Sequence, residues 1–324
     1  MIGVRNYAVV TAAYWAFTLT DGALRLLVLL HFHELGYTPV QLAFLFLLYE
    51  FFGIVTNLVG GWLAARTGLR FTLVLGLALQ ALALCLLALL NREWTIGLSV
   101  AYVMGCQAKV KTPFKGILSN STGINRLSMA RLALFAARDV WFVVSVPIFL
   151  ASVLGWSFTQ IGAFLALWVI GYGAVQSVSP IVLARATRGR APGPAMASAL
   201  GLGLAAITAL IPIGLHFSTP PAQTMVGGLC LFGVMFALNS SVHSYLVLAY
   251  SEADRVSLSV GFYYMANAAG RLLGTLLSGV LYQQAGVTAS LWGAVVLAGL
   301  AGVAATFLPP VTSGVSWNGA ASDD

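Results

Sequence analysis

LGYTPVQ, residues 35–41, returns 119 positions later as LGWSFTQ, residues 154–160. With that offset held, Thr38 pairs with Ser157, Gln41 with Gln160, Tyr49 with Trp168, Asn57 with Gln176 and Arg66 with Arg185. One slide therefore aligns a whole apolar segment and both its flanks. Apolar helices resemble one another by composition alone, but a Leu-Gly-aromatic-hydroxyl-x-x-Gln loop with an arginine 25 residues beyond its glutamine is not apolar filler. The pattern reads as a duplicated half.

What is duplicated follows from composition. Of 324 residues 60% are hydrophobic and only 8% charged, too few to cover a water-facing surface. A membrane-crossing helix needs roughly 20 apolar residues. Such stretches occur at 7–31, 40–64, 71–90, 129–153, 159–183, 194–216, 222–249, 257–282 and 288–308, with a short tenth at 94–108. The chain reads as an all-α integral membrane protein. Its first segment is too long for a signal peptide, holds Asp21 and Arg25, and runs on without a small-residue cleavage site, so it is expected to stay in the mature protein. Cys85, Cys106 and Cys230 have no paired spacing and are expected to be buried small residues.

The net charge of +7 does not point to nucleic acid, because the basic residues fall in alternate loops. Arg5, Arg66, Arg70, Lys109, Lys111, Lys115, Arg126, Arg185, Arg188, Arg190 and Arg255 share one side, and only Arg92 falls in the opposite loops. The positive-inside rule then expects a multi-pass inner or plasma membrane protein with both termini cytoplasmic.

Repeated halves in one orientation are a recurring plan of secondary transporters, whose cargo binds between the halves near the midplane. Residues 61–70, GWLAARTGLR, resemble the G-x-x-x-D-R-x-G-R-R/K loop of the major facilitator superfamily. Gly61, Arg66, Gly68 and Arg70 are kept, and Ala65 stands where the acid is expected. The resemblance implies a cytoplasmic latch, with glycines for a tight turn and Arg66 reaching a carboxylate or helix end.

The repeat also sets a distance. From Leu154 to the end of the last helix near 308 there are about 154 residues, enough for five further helices, but from Leu35 to the start of the matching helix near 129 there are only about 94. The first half is short by about two helices, so the expected bundle has about 10 spans, four plus six, where twelve is ordinary. The parts are 1–108, a truncated N-terminal half; 109–127, a central loop; 128–310, a six-helix half; and 311–324, a cytoplasmic tail. Residues 94–108 would make a helix only about 22 Å long, which looks cut.

Four stretches carry a closer resemblance: NYAVVTAAYWAFTLTDGALRLLVLLHFHELGY (6–37), YEFFGIVTNLVGGWLAAR (49–66), ARLALFAARDVWFVVSVPIFLASVLGWSFTQIGAFLALWVIGYG (130–173) and VGFYYMANAAGRLLGTLLSGVLYQ (260–283). They are similar to the ArsJ-type organoarsenical efflux permeases of the major facilitator superfamily. The resemblance implies export of 1-arseno-3-phosphoglycerate, formed when glyceraldehyde-3-phosphate dehydrogenase uses arsenate for phosphate. It also implies arsenate resistance and a functional link to that dehydrogenase, not necessarily a physical one. The family's remaining part of helix four, its fifth and sixth helices and the start of its central loop have no counterpart after Ala108.

The residues themselves agree with an anionic cargo without identifying arsenic. Charge inside a membrane costs about 2.5 to 3.5 kcal/mol on insertion scales, so it is turned inward and paired or used. Asp21 and Arg25 are four apart and can pair on one face. Arg131 and Arg138 are seven apart on one face, with Asp139 about 100° away, and Arg271 sits in NAAGRLLG. Arginine offers two parallel donors to phosphate or arsenate, which makes Arg25, Arg138 and Arg271 the cargo candidates. Buried ion pairs holding helices in register remain the alternative. Asn267, Tyr263 and Tyr264 could donate to cargo oxygens, or the tyrosines could be interfacial anchors. No Walker A sequence occurs, so an ion gradient is the expected energy source and an antiporter the expected mode. Glu50, with Gly53 and Asn57 on its face, could carry protons or pair with an arginine, and Asp21 and Asp139 share that choice.

His31, His33 and Glu34 follow the first span at its outer mouth and read as interfacial polar residues, not a metal cluster. No cofactor is expected, and the partners are the lipid bilayer and a small organic anion. An organoarsenical exporter, an exporter of another phosphorylated or carboxylated anion, and a shortened, non-transporting product of such a permease all stay open. An intramembrane enzyme is the weakest reading, since no HExxH, GxGD or Ser-His-Asp pattern is present.

Overall fold

The computed structural model describes residues 26, 28–68, 71, 74–76, 78–79, 82, 85, 120–188, 190–217, 220–252 and 255–311. Asp21, Arg25, Arg70, Cys106, the short segment at 94–108 and most of the central loop lie outside them, and with them the count of four plus six. Within the described residues the chain is helical. It comprises α1 (Pro39–Thr67), α2 (Thr122–Phe142), α3 (Ser145–Ser152), α4 (Phe158–Ala186), α5 (Pro194–His216), α6 (Pro221–Ala249) and α7 (Val256–Thr306). Taking α2 and α3 as one span, six of these are long and apolar enough to cross a membrane. The all-α membrane bundle expected from composition is the observed architecture.

The repeated loops make the same local structure twice. At the first, Thr38 N–H and Oγ1 donate to Gln41 Oε1 at 2.8 and 3.1 Å, and Gln41 N–H donates to Thr38 Oγ1 at 3.4 Å. At the second, Ser157 and Gln160 make the same three bonds at 2.8, 3.1 and 3.3 Å. Each is a capping box, a hydroxyl and a glutamine three residues on that reciprocally satisfy otherwise orphaned N–H groups. Gly36 and Gly155, with φ of 87° and 66°, end the preceding helices in the left-handed conformation that glycine adopts freely. The helices that follow, α1 and α4, are both 29 residues long and stay in register with the repeat from first residue to last.

At 51 residues α7 would run about 76 Å if straight, more than twice the bilayer core. It is broken at Ala285 and Gly286, the latter with φ 70°. Leu281 packs where a side chain on Gly293 would sit, although 12 residues of straight helix separate positions by about 18 Å. The two arms therefore fold back on each other, matching the separate spans read at 257–282 and 288–308.

A second interruption divides α2 from α3 at Val143 and Val144, one turn before Pro147. Proline lacks an N–H and its ring opposes the carbonyl four residues earlier, here that of Val143. Ser278 Oγ accepts from the N–H groups of Val144 and Ser145 at 3.3 and 3.2 Å. Ser145 Oγ in turn lies 2.7 Å from Ser290 Oγ. Freed backbone donors inside a membrane need such partners. These serines bind the break to both arms of α7.

The first arm of α7 lies between α1 and α2, and its glycines set the separations. A side chain on Gly270 would run into the Leu132 carbonyl, and on Gly274 it would come within 2.7 Å of the Ala136 carbonyl oxygen. One on Gly279 would meet the Pro39 carbonyl. Small residues let helices without a hydrophobic drive between them reach van der Waals contact. Outward positions carry large apolar groups such as Leu167 and Ile181 of α4, as a lipid-facing surface requires. The same reasoning corrects the expectation for cysteine: Cys85 and Cys230 are exposed. In a membrane protein a small apolar residue has no reason to leave the surface.

Candidate functional site

The close approach of α1, α2 and the first arm of α7 brings four charged side chains together near the middle of the spans, α2 and α3 counted as one. Arg271 Nη2 donates to Glu50 Oε1 at 2.9 Å, and its Nε lies 3.5 Å from Asp139 Oδ2. Arg138 Nε donates to Asp139 Oδ1 at 2.6 Å. Asp139 is thus shared between the two arginines. Adjacent helical positions diverge by about 100°, which placed Asp139 away from Arg138 in the sequence reading. The length of the arginine side chain closes that angle.

Burial divides the four by sign. The Glu50 and Asp139 side chains are each 1% exposed, against 20% for Arg138 and 23% for Arg271. The carboxylates sit behind and the guanidinium groups in front. Arg138 uses only Nε in hydrogen bonding, so its two terminal nitrogens have no acceptor among the described residues. The guanidinium of Arg271 lies 5.8 Å from the Tyr49 ring centroid, which fixes its approach from the α1 side.

A second polar layer lies about two helical turns along α2. Arg131 is 4% exposed, donating from Nε to Asn267 Oδ1 at 2.9 Å and from Nη1 to Ser240 Oγ at 3.0 Å. Its guanidinium lies 4.1 Å from the Phe135 centroid and 5.0 Å from that of Tyr263. Tyr263 is fully buried here, not an interfacial anchor, whereas its neighbour Tyr264 is exposed. Arg131 was not among the cargo candidates, nor was Ser240. The available signal was Arg131's spacing of seven from Arg138 on one helix face.

Three arginines stand against two carboxylates in these layers, leaving one excess positive charge among the described residues. The remaining sequence candidates fall elsewhere. Asn57 Nδ2 donates to Gly53 O at 2.7 Å, a bond within α1, and Gly53 faces Ala268 of α7. Residues 61–67 of the expected latch loop are the last turns of α1, so Gly61 and Arg66 are helical, and of the two glycines only Gly68, with φ 87°, makes a turn. Arg66 rests 5.2 Å over the Trp62 ring with no carboxylate partner among the described residues. His33 Nε2 lies 3.2 Å from Ser152 Oγ. No group of three metal-ligating side chains occurs among the described residues.

Chemically, the first layer holds arginine donors against buried carboxylates and the second holds an arginine against neutral oxygens. The family model described as Major Facilitator Superfamily matches residues 127–324. That range holds Arg131, Arg138, Asp139, Asn267 and Arg271 and leaves out Glu50. No curated protein matches the chain.

Proposed function

This chain belongs to the major facilitator superfamily and is a multi-pass membrane transporter of small molecules; from that premise we propose that it exports a phosphorylated or arsenylated organic anion. The observation that carries the reading is Arg138, whose terminal nitrogens have no acceptor among the described residues while Asp139 orients its Nε. A phosphoryl or arsenyl group takes two parallel donors of this kind. The resemblance to ArsJ-type permeases narrows the cargo to 1-arseno-3-phosphoglycerate, with glyceraldehyde-3-phosphate dehydrogenase as its source and arsenate resistance as the outcome. The site is expected in the cell membrane with both termini cytoplasmic.

Coupling follows from the shared carboxylates. An anion that takes the arginine donors weakens the hold of Arg271 on Glu50 and Asp139. Cargo and the two carboxylates then compete for one set of arginines, and an ion gradient is the proposed energy source. Expression in arsenate-sensitive cells that contain the dehydrogenase tests this. Resistance from the native chain that is lost in Arg138→Gln supports it, and equal resistance from both proteins overturns the assignment.

The repeat spacing supports a second reading, a shortened, non-transporting form of such a permease. Resistance only from a chain with the missing helix pair restored would favour it over the first.

A further inference from the structure

Arg131 poses a separate question. A buried charge ordinarily has a charged partner, because desolvation costs several kcal/mol per ion. Among the described residues Arg131 has no carboxylate partner, and its guanidinium donates to the neutral oxygens of Asn267 and Ser240. The helices that carry it and Ser240 also hold buried polar groups without a hydrogen-bond partner among the described residues. These are both ring nitrogens of His243, both side-chain polar atoms of Asn239, which adjoins Ser240, and Ser128 Oγ, one turn before Arg131. His243 lies one turn from Ser240 on α6, within electrostatic reach of Arg131. Buried polar atoms are satisfied in nearly all folded proteins, so several orphans around one unneutralised cation mark a place built for an anionic acceptor.

We propose that Arg131, with His243 and Asn239, forms a second anion subsite that holds the far anionic group of a cargo carrying one at each end. This rests on the central layer being an anion cargo site and names which cargo it selects. Arg131 and Arg138 both lie against the same ring, at 4.1 and 4.6 Å from the Phe135 centroid, so their guanidinium carbons are at most 8.7 Å apart. A separation within that bound can be spanned by phosphate and carboxylate groups on a three-carbon skeleton, one on each arginine. A molecule with a single anionic end meets only one of them.

The test uses the full chain in detergent and isothermal titration with 3-phosphoglycerate, glycerol 3-phosphate and inorganic phosphate. On the native chain 3-phosphoglycerate binds at least about tenfold more tightly than glycerol 3-phosphate, the change that 1.4 kcal/mol from a second charged contact produces. Arg131→Gln brings that ratio close to one, and Arg131→Lys, which keeps the charge without the planar fork, retains part of it. A ratio near one on the native chain, a ratio preserved in Arg131→Gln, or no binding of any of the three ligands overturns the subsite. Should Arg131→Gln fail to fold, the native ratio and Arg131→Lys still decide. A ratio that behaves as stated in a chain giving no resistance means that the export reading fails and the subsite stands. Resistance with no such ratio means the reverse.

Discussion

His33 Nε2 lies 3.2 Å from Ser152 Oγ, and the two residues are 119 apart, the interval that separates the two repeated loops. In the repeat read from the sequence these are equivalent positions, and equivalent positions of two copies related by a rotation touch beside the rotation axis. On that reading the axis is expected at the ends of the helices that lead into LGYTPVQ and LGWSFTQ. A side chain on each half that meets its own counterpart is a natural pivot for halves that rock.

Cysteines at these two positions should join under mild oxidation. In His33→Cys with Ser152→Cys, cleavage in the segment 109–119 leaves the fragments linked on a non-reducing gel and separated after reduction. Fragments that separate without reductant would remove the pivot.

Removing the cation from the central cluster should be more damaging than neutralising one acid. Arg271→Leu leaves the buried Glu50 and Asp139 carboxylates without their shared partner, and breaking a buried pair this way costs about 3–5 kcal/mol. Glu50→Gln keeps an acceptor for Arg271 and should cost less. Thermal unfolding in detergent ranks the two; equal melting temperatures would mean the cluster is not held by these charges.

The glycine contacts make a sharp comparison. Gly274→Ala puts a methyl group within 2.7 Å of the Ala136 carbonyl oxygen and 2.9 Å of the Asp139 Cβ, so about 1–3 kcal/mol of overpacking is expected. Gly227, with nothing within 4 Å of an added methyl, should accept alanine with little change. Chemical or thermal denaturation of both variants checks the difference.

Ser278→Ala should loosen the break between α2 and α3, because Ser278 Oγ serves the N–H groups of Val144 and Ser145. Leaving buried donors unmet costs about 1–3 kcal/mol. Faster amide exchange confined to residues around 144 is the expected signature, and unchanged exchange there would assign those donors another partner.

At the arginine-bearing end, Tyr250 Oη donates to the Pro309 carbonyl at 2.6 Å and Ser121 Oγ donates to the Tyr250 carbonyl at 3.2 Å. These bonds join α2, α6 and the chain leaving α7. Burial pushes the Tyr250 phenol up from 10.0 to about 12. A folded-state pKa above the unfolded one means stability is whole below the unfolded value and falls as pH rises toward the folded one. The melting temperature should therefore decline between about pH 10 and 12, less steeply in Tyr250→Phe, and identical slopes would exclude Tyr250 from the alkaline loss.

Much of the architecture was legible because it is locally encoded. The capping boxes at Thr38 and Ser157, the glycines at 36 and 155, and the two arms of α7 rest on residues within a few positions of each other. The apolar runs need only the bilayer's thickness to be read as spans. The candidate site was legible only as a set of misfit residues: Glu50, Arg138, Asp139, Asn267 and Arg271 were each conspicuous as polar groups in apolar helices. Their partners were not, because Glu50 and Arg271 meet across 221 residues.

The sequence by itself determined that this is a helical membrane protein with a repeated element, where its described helices begin, and which buried residues carry charge, since composition, periodicity and caps act over short range. Only the tertiary structure decided who pairs with whom. Helix rotation and the approach allowed by Gly270 and Gly274 set Arg271 against Glu50 and Asp139, and left Arg131 among neutral oxygens. Ion pairing depends on angstroms of separation between distant segments, and no local pattern in the chain specifies those.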